Sequence, residues 1–226
     1  MSKAKRLAGV LGFIVVVAAL VVWGVSTLIT PGTPGGAVNF TNTQAKGAPV
    51  DLTIQTVGSI GFGSHPTWVT YMVKNPDGQW QHSTVWELPA NSTIHVTEEQ
   101  FDSGSPLRNQ VWGQITGTVG GIATVNGTSY SHYDSYTGTG VAHTFVVPAL
   151  GIAVPFVGVG GTAALCGVAP CQLSSPHNII TFSFKTHGPG SYEWQCFVPC
   201  GLDFLYGNGG PMSTEGYMGG FLNVES

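Results

Sequence analysis

The chain of 226 residues has little charge: Asp, Glu, Lys and Arg make up only 8% of it, against about 25% in an average soluble domain. The sequence also lacks the G-x-S-x-G, H-E-x-x-H, Walker and dinucleotide-glycine motifs of common enzymes. Glu98 and Glu99 are adjacent, so they point to opposite faces of a strand and do not make an acid–base pair. These absences argue against an independent enzyme.

Basic residues are scarce beyond the N-terminus. Only four of the seven Lys and Arg residues follow residue 29, against all eleven acids, which gives this part a net charge of −7. A negative surface repels nucleic acid and attracts a basic partner. The alternative is that the charge only aids solubility.

Long apolar runs are also absent, with one exception at residues 7–29, which follow Lys3, Lys5 and Arg6. About 20 apolar residues span a bilayer as a helix, and the basic end stays cytoplasmic. We therefore expect a cytoplasmic tail over 1–6, a single-pass transmembrane anchor over 7–29, a flexible Pro/Gly linker over 30–46 and an extracytoplasmic domain over 47–226. The alternative is a cleaved signal peptide.

The pattern after the linker is typical of an all-β domain. Short runs rich in Val, Ile, Thr and aromatic residues alternate with Gly, Pro, Asn and Ser clusters. VDLTIQTV, from residue 50, alternates apolar and polar residues as a half-buried strand does. The segment 101–139 is rich in Gly, Ser, Thr and Tyr and is expected to be an irregular insertion, in which 110–119 and 121–127 could form a hairpin.

The four cysteines fall into two pairs. Cys166 and Cys171 lie in a Gly-rich loop without other metal-ligand types nearby, and we expect a disulfide between them. Cys196 and Cys200 are separated by three residues at the end of a predicted strand. They are candidates for either a disulfide or a metal site.

Three motifs together indicate copper. His143 lies in the predicted strand VAHTFVVP, Cys196 and Cys200 follow the strand YEWQC, and Met218 directly precedes the last strand. Thiolate and thioether sulfur with imidazole nitrogen select copper over hard cations. This ligand set is typical of electron transfer.

The same segments resemble a known family. GVAHTFVVPALGI, PGSYEWQCFVPCG and YMGGFLNV are similar to the copper domain of cytochrome c oxidase subunit II, whose framework is the cupredoxin Greek-key β-sandwich. The resemblance implies His143, Cys196, Cys200 and Met218 as copper ligands, with the carbonyl of Val198 as a further candidate. It also implies a basic cytochrome or a membrane oxidase complex as the partner.

One ligand of that family is missing here. The family's second histidine would fall on Phe204 when counted from Cys200, or on Glu215 when counted back from Met218. Three interpretations follow: Glu215 supplies an oxygen ligand, His187 is recruited, or the cysteines form a disulfide without metal. Met212 is an alternative to Met218.

Three classes of function therefore remain. The first is a membrane-anchored copper protein that carries single electrons in or beside a respiratory chain, with one or two copper ions. The second is a metal-free accessory or docking subunit of a respiratory complex. The third is a Cu(I) delivery protein.

Overall fold

The computed structural model describes residues 2–29, 35–41, 47–161, 165–201 and 210–226. The chain divides into two compact units, Met1–Pro31 and Gly32–Ser226. The first unit contains one helix, α1, over Lys3–Ile29.

The predicted membrane anchor over 7–29 is wrong. Among the residues that the structure describes, no helix is both long enough and apolar enough to cross a membrane. The predicted single-pass localisation depended on that anchor and is wrong with it.

The second unit is built from short strands. The described residues contain β1 Val38–Asn39, β2 Val50–Val57, β3 Thr70–Lys74, β4 Trp80–Gln81, β5 Val85–Pro89, β6 Thr93–Gln100, β7 Ala123–Val125, β8 Thr128–Tyr130, β9 Val141–Val147, β10 Ile152–Val157, β11 Asn178–Lys185, β12 Gly190–Gln195 and β13 Gly219–Glu225. They form a six-stranded sheet in the order β1-β5-β13-β12-β9-β10 and a seven-stranded sheet in the order β4-β3-β2-β6-β11-β7-β8. The predicted two-sheet β architecture is confirmed.

Both sheets mix parallel and antiparallel neighbours. β2 runs parallel to β6, and β13 runs parallel to β5, so strands distant in sequence lie side by side. β1 lies within the predicted linker and pairs with β5, while 30–34 and 42–46 of that linker lie outside the described residues. The domain boundaries stay predictions.

The core fills the space between the two sheets. Phe145 and Trp194 from the six-stranded sheet pack in one buried cluster with Ile54 and Phe184 from the other. The indole rings of Trp86 and Trp194 stack at 4.8 Å between centroids. These large rings lie beneath the strands that carry the site, and burial of 150–250 Å² per ring makes them strong anchors of the fold.

The segment 101–139 contains more structure than its composition indicated. Short 3-10 helices span Gln110–Gly113 and Val119–Gly121, where the sequence left room for a strand. The hairpin lies further along than the one expected between 110–119 and 121–127: β7 and β8 pair around Asn126 and Gly127, both of which have positive φ. Asn and Gly tolerate this left-handed backbone, which two-residue hairpin turns require.

The predicted disulfide is confirmed. The sulfurs of Cys166 and Cys171 are bonded, and their Cα atoms are 5.9 Å apart. The backbone N–H of Cys171 donates to Gln55 Oε1 at 2.7 Å, and Gln55 Nε2 donates to the Cys171 carbonyl at 3.1 Å. The loop is therefore fastened to the outer face of β2.

Candidate metal centre

Two adjacent strands of the six-stranded sheet bring the predicted motifs together. His143 lies within β9, and Cys196 follows the last residue of β12. β9 and β12 pair at Val146 and Gln195, which places the end of β12 alongside β9. The backbone N–H of Cys196 donates to the Met218 carbonyl at 2.8 Å, so the residue before β13 joins the same edge.

His143, Cys196 and Cys200 form a compact cluster, which we call the His–Cys–Cys centre. Their possible ligand atoms all lie within 4.8 Å of one another. His143 Nδ1 is 3.0 Å from Cys200 Sγ and 3.9 Å from Cys196 Sγ. The two sulfurs are 3.4 Å apart and both cysteines are free. The structure therefore does not contain the disulfide that was one interpretation of this pair.

The other imidazole nitrogen is held by a carboxylate. His143 Nε2 lies 3.0 Å from Asp102 Oδ2. The His143 side chain is 2% exposed and that of Asp102 is 21% exposed, so the pair lies just beneath the surface. A carboxylate on the far nitrogen of a ligating histidine fixes the ring and makes the near nitrogen more basic. Nδ1 therefore faces the sulfurs.

The centre carries separated charges. Burial opposes ionisation of His143, but the bonds to Asp102 and Cys196 outweigh it and raise the His143 pKa to about 10. Burial likewise opposes ionisation of Cys196, but bonds from Cys200 and His143 hold its pKa well below that of an ordinary thiol. The pKa of Cys200 is raised, first by its bond to Cys196 and then by burial. These shifts favour the thiolate form of Cys196 and the protonated forms of Cys200 and His143.

Backbone groups surround the sulfurs. Thr144 N–H donates to Cys196 Sγ at 3.4 Å. The carbonyl of Val198, a predicted ligand, lies 3.5 Å from Cys196 Sγ and 3.0 Å from Cys200 Sγ. Thr144 Oγ1 accepts from the Phe197 N–H at 2.8 Å, which fixes the turn between the cysteines. The pocket is therefore preorganised around the sulfurs.

The remaining predicted residues lie in different places. Met218 is fully buried in the same core cluster as both cysteines. Glu215 is exposed. Together with Met212 it lines a cavity of about 290 Å³ that none of the three residues of the His–Cys–Cys centre lines. The carbonyl of His187 accepts from Asn91 at the far end of the seven-stranded sheet, and Phe204 lies outside the described residues. The ligand roles of Met218 and Glu215 stay predictions.

The donor set fits copper. Two sulfurs and one imidazole nitrogen are soft and borderline ligands, which suit Cu(I) and blue-type copper sites better than Mg²⁺ or Ca²⁺. Both cysteines are buried, with Cys196 at 0% and Cys200 at 5% exposure. A cavity of about 280 Å³ borders Asp102, His143 and Cys200 and gives a small cation a path to them.

Sequence reasoning missed Asp102. It lies 41 positions before His143, in a stretch whose composition indicated only an irregular insertion. No local motif marks it. The backbone N–H of Val159 donates to the Asp102 carbonyl at 2.9 Å, and this long-range pairing places the carboxylate beside His143.

Comparison with known proteins gives a limited similarity. No family model matches the chain, and no curated protein matches it. Among solved structures, the chain is similar to the copper protein rusticyanin, at 15% identity and a TM-score of 0.35, over 92% of this chain and 94% of that one. Reduced rusticyanin gives 15% and 0.33, over 90% and 94%. Rusticyanin from Thiobacillus ferrooxidans gives 15% and 0.32, over 90% and 92%. Because these TM-scores are low, the similarity carries no argument about a metal or its ligands. The case for a metal in this chain is made from its own geometry.

Proposed function

We propose that this chain is a cupredoxin-type copper protein that carries single electrons. His143 Nδ1 and the sulfurs of Cys196 and Cys200 would hold the metal. Met218 and the Val198 carbonyl would complete the ligand set. Copper supplies a one-electron couple when bound; the chain supplies a buried and rigid set of donors.

The observation that carries this proposal is the convergence of the His–Cys–Cys centre with the bond between His143 and Asp102. Three donors from two chain segments lie within 4.8 Å of one another, and the carboxylate on Nε2 leaves Nδ1 free to face the sulfurs. A histidine with a purely structural role does not require two thiols beside its second ring nitrogen. Rigid donors reduce the rearrangement that accompanies electron transfer.

We also propose a positively charged redox partner, such as a basic cytochrome or an oxidase complex of a respiratory chain. The residues after position 29 carry a net charge of −7. Complementary charge accelerates encounter between redox partners and makes it sensitive to salt. Raising the ionic strength should therefore slow electron transfer to a basic partner.

Copper delivery is less well supported. Carriers that hand Cu(I) to another protein present accessible sulfur, whereas Cys196 is fully buried here. The cavity beside Cys200 is the one observation in favour of delivery. A metal-free docking subunit is the other alternative, and it predicts no copper binding at all.

The test is an anaerobic titration of the full, reduced chain with Cu(II), followed by optical absorption, EPR and metal analysis. We expect a stoichiometric species with an intense thiolate-to-copper band. The EPR hyperfine pattern separates one copper ion from a delocalised pair. Stable Cu(I) binding without a Cu(II) species would instead support delivery.

Two cysteine variants show which sulfurs produce the thiolate-to-copper band. Cys196→Ser changes one atom in a fully buried side chain and should abolish the band. The double variant Cys166→Ser/Cys171→Ser removes the other two sulfurs, which are bonded to each other, and should keep the band. If no wild-type species binds copper, the electron-carrier proposal fails and the docking subunit is favoured.

A further inference from the structure

A carboxyl group lies inside the core near the His–Cys–Cys centre. Glu98, on β6, is fully buried. Its register partners are Ile54 on β2 and Ile180 on β11, both also fully buried. Residues paired across neighbouring strands share a face of the sheet, so the Glu98 carboxyl is flanked by two apolar side chains.

Only one of the two oxygens of the Glu98 carboxyl has a hydrogen-bond partner among the described residues. Glu98 Oε1 accepts from the Thr56 N–H at 2.9 Å and from the Thr56 hydroxyl. Oε2 has no partner among the described residues, and neither does the nearby Gln100 Nε2. An unpaired buried carboxylate oxygen is costly, and a proton on that oxygen removes the charge.

Gln100 lies between Glu98 and Asp102 along the chain. Glu98 and Gln100 are two positions apart on β6 and therefore share its inward face. Gln100 Oε1 accepts from the Asp102 N–H at 3.2 Å, and Asp102 holds His143 Nε2. No hydrogen bond joins Gln100 to Glu98 among the described residues, so Glu98 acts on His143 through electrostatics.

Three ionisable groups interact with Glu98, and one of them, His143, belongs to the His–Cys–Cys centre. His143 on β9 and Tyr71 on β3 interact with it electrostatically, as does Glu99 on its own strand. Glu99 points to the opposite face, where its carboxylate accepts from Gln55 at 3.1 Å. β10 has no ionisable residue. Those of β2 and β11, Asp51 and Lys185, pair with residues at the other end of β6.

We propose that Glu98 is a proton-binding residue coupled to the redox state of the His–Cys–Cys centre. This inference rests on the proposed electron-carrier function. When a one-electron donor reduces the centre, Glu98 Oε2 takes one proton from solvent and forms an O–H bond. Oxidation removes the electron, the O–H bond breaks and the proton returns to solvent. One negative and one positive charge enter together, so the net charge of the interior is unchanged.

Electrostatics determines whether the midpoint potential rises or falls when Glu98 loses its proton. An ionised Glu98 adds negative charge near the centre, and the interior screens that charge weakly. The oxidised, more positive form is then favoured, so the midpoint potential falls as Glu98 loses its proton. Burial raises the pKa of Glu98 to about 8, which places this change within an accessible pH range.

The experiment measures the midpoint potential of the copper-loaded full chain by spectroelectrochemistry, at pH values on both sides of 8. We expect the wild-type potential to fall with rising pH across this range. Glu98→Gln keeps the shape of the neutral acid and should remove that fall. Glu99→Gln is the matched control, since it makes the same change one residue away on the opposite face, and it should keep the fall.

A second readout does not depend on a variant that folds. The infrared difference spectrum between oxidised and reduced wild-type protein, recorded near pH 8, should contain the C=O stretch of a protonated carboxyl. An unchanged pH dependence in Glu98→Gln, or a difference spectrum without the band, would overturn the inference while the copper site stands. Failure of the wild type to bind copper would remove the proposed function, and the inference with it.

Discussion

Asp102 and His143 are joined across 41 positions of sequence by a contact of 3.0 Å between Oδ2 and Nε2. The contact decides which imidazole nitrogen is available to the cysteines. The negative charge of Asp102 also stabilises the positive charge on the ring, so that the Asp102 pKa is lowered despite burial. Asp102 therefore positions the histidine without facing the sulfurs itself.

Asp102→Asn should weaken copper binding about 10- to 100-fold, the usual loss when the outer partner of a ligating histidine is removed. Asparagine keeps the shape but not the charge, and its amide also presents a donor to Nε2. Affinity is measured by competition with a copper chelator. Asp134→Asn is the control, because this exposed aspartate binds Gln110 in the segment 101–139. If Asp102→Asn and Asp134→Asn bind copper with equal affinity, Asp102 does not position His143 for copper binding.

The ligand core was predictable because its residues lie in short local patterns. Cys196 and Cys200 are separated by one turn, and His143 stands in an apolar strand where a polar ring is conspicuous. Asp102 and the buried face of Glu98 were not predictable, since each depends on pairings between distant strands. The two sheets followed from alternation, whereas their parallel pairs, such as β2 with β6, have no local signal.

Met218 and Glu215 offer a direct test of the incomplete ligand set. Met218→Leu conserves volume in a fully buried position and should change the EPR and optical spectra, because a weak axial sulfur tunes such sites. Glu215→Gln should leave both spectra unchanged, because that side chain is exposed in another cavity. The opposite pattern would make Glu215 the ligand in place of Met218.

Glu98 should also make the stability of the metal-free protein depend on pH. Burial raises its folded pKa from the ordinary value of 4.5 to about 8, so the folded state keeps a proton that the unfolded chain releases. This contribution is fully present below the unfolded pKa and is lost as pH rises through 8. The slope is at most about 1.4 kcal/mol per pH unit for one proton.

Urea unfolding of the reduced, metal-free chain across this range measures the effect. Glu98→Gln should be less sensitive to pH than the wild type, because glutamine does not ionise. Glu99→Gln should retain the wild-type slope. Parallel curves for the wild type and Glu98→Gln would mean that the carboxyl is already ionised in the folded protein.

The disulfide between Cys166 and Cys171 should contribute about 2 kcal/mol to stability, the low end of the usual range, because it closes a short loop. Cys171 also packs in a small buried cluster with Val57, Met72 and Phe101, so loosening the loop uncovers apolar surface on β2. The measurement is guanidinium unfolding of the full, metal-free chain with and without reductant. Reductant should lower the unfolding midpoint of wild type and of Cys196→Ser/Cys200→Ser alike, since the latter pair is free. Reductant should not change the unfolding midpoint of Cys166→Ser/Cys171→Ser. If reductant still lowers the midpoint of this variant, the stabilising disulfide lies between Cys196 and Cys200 instead.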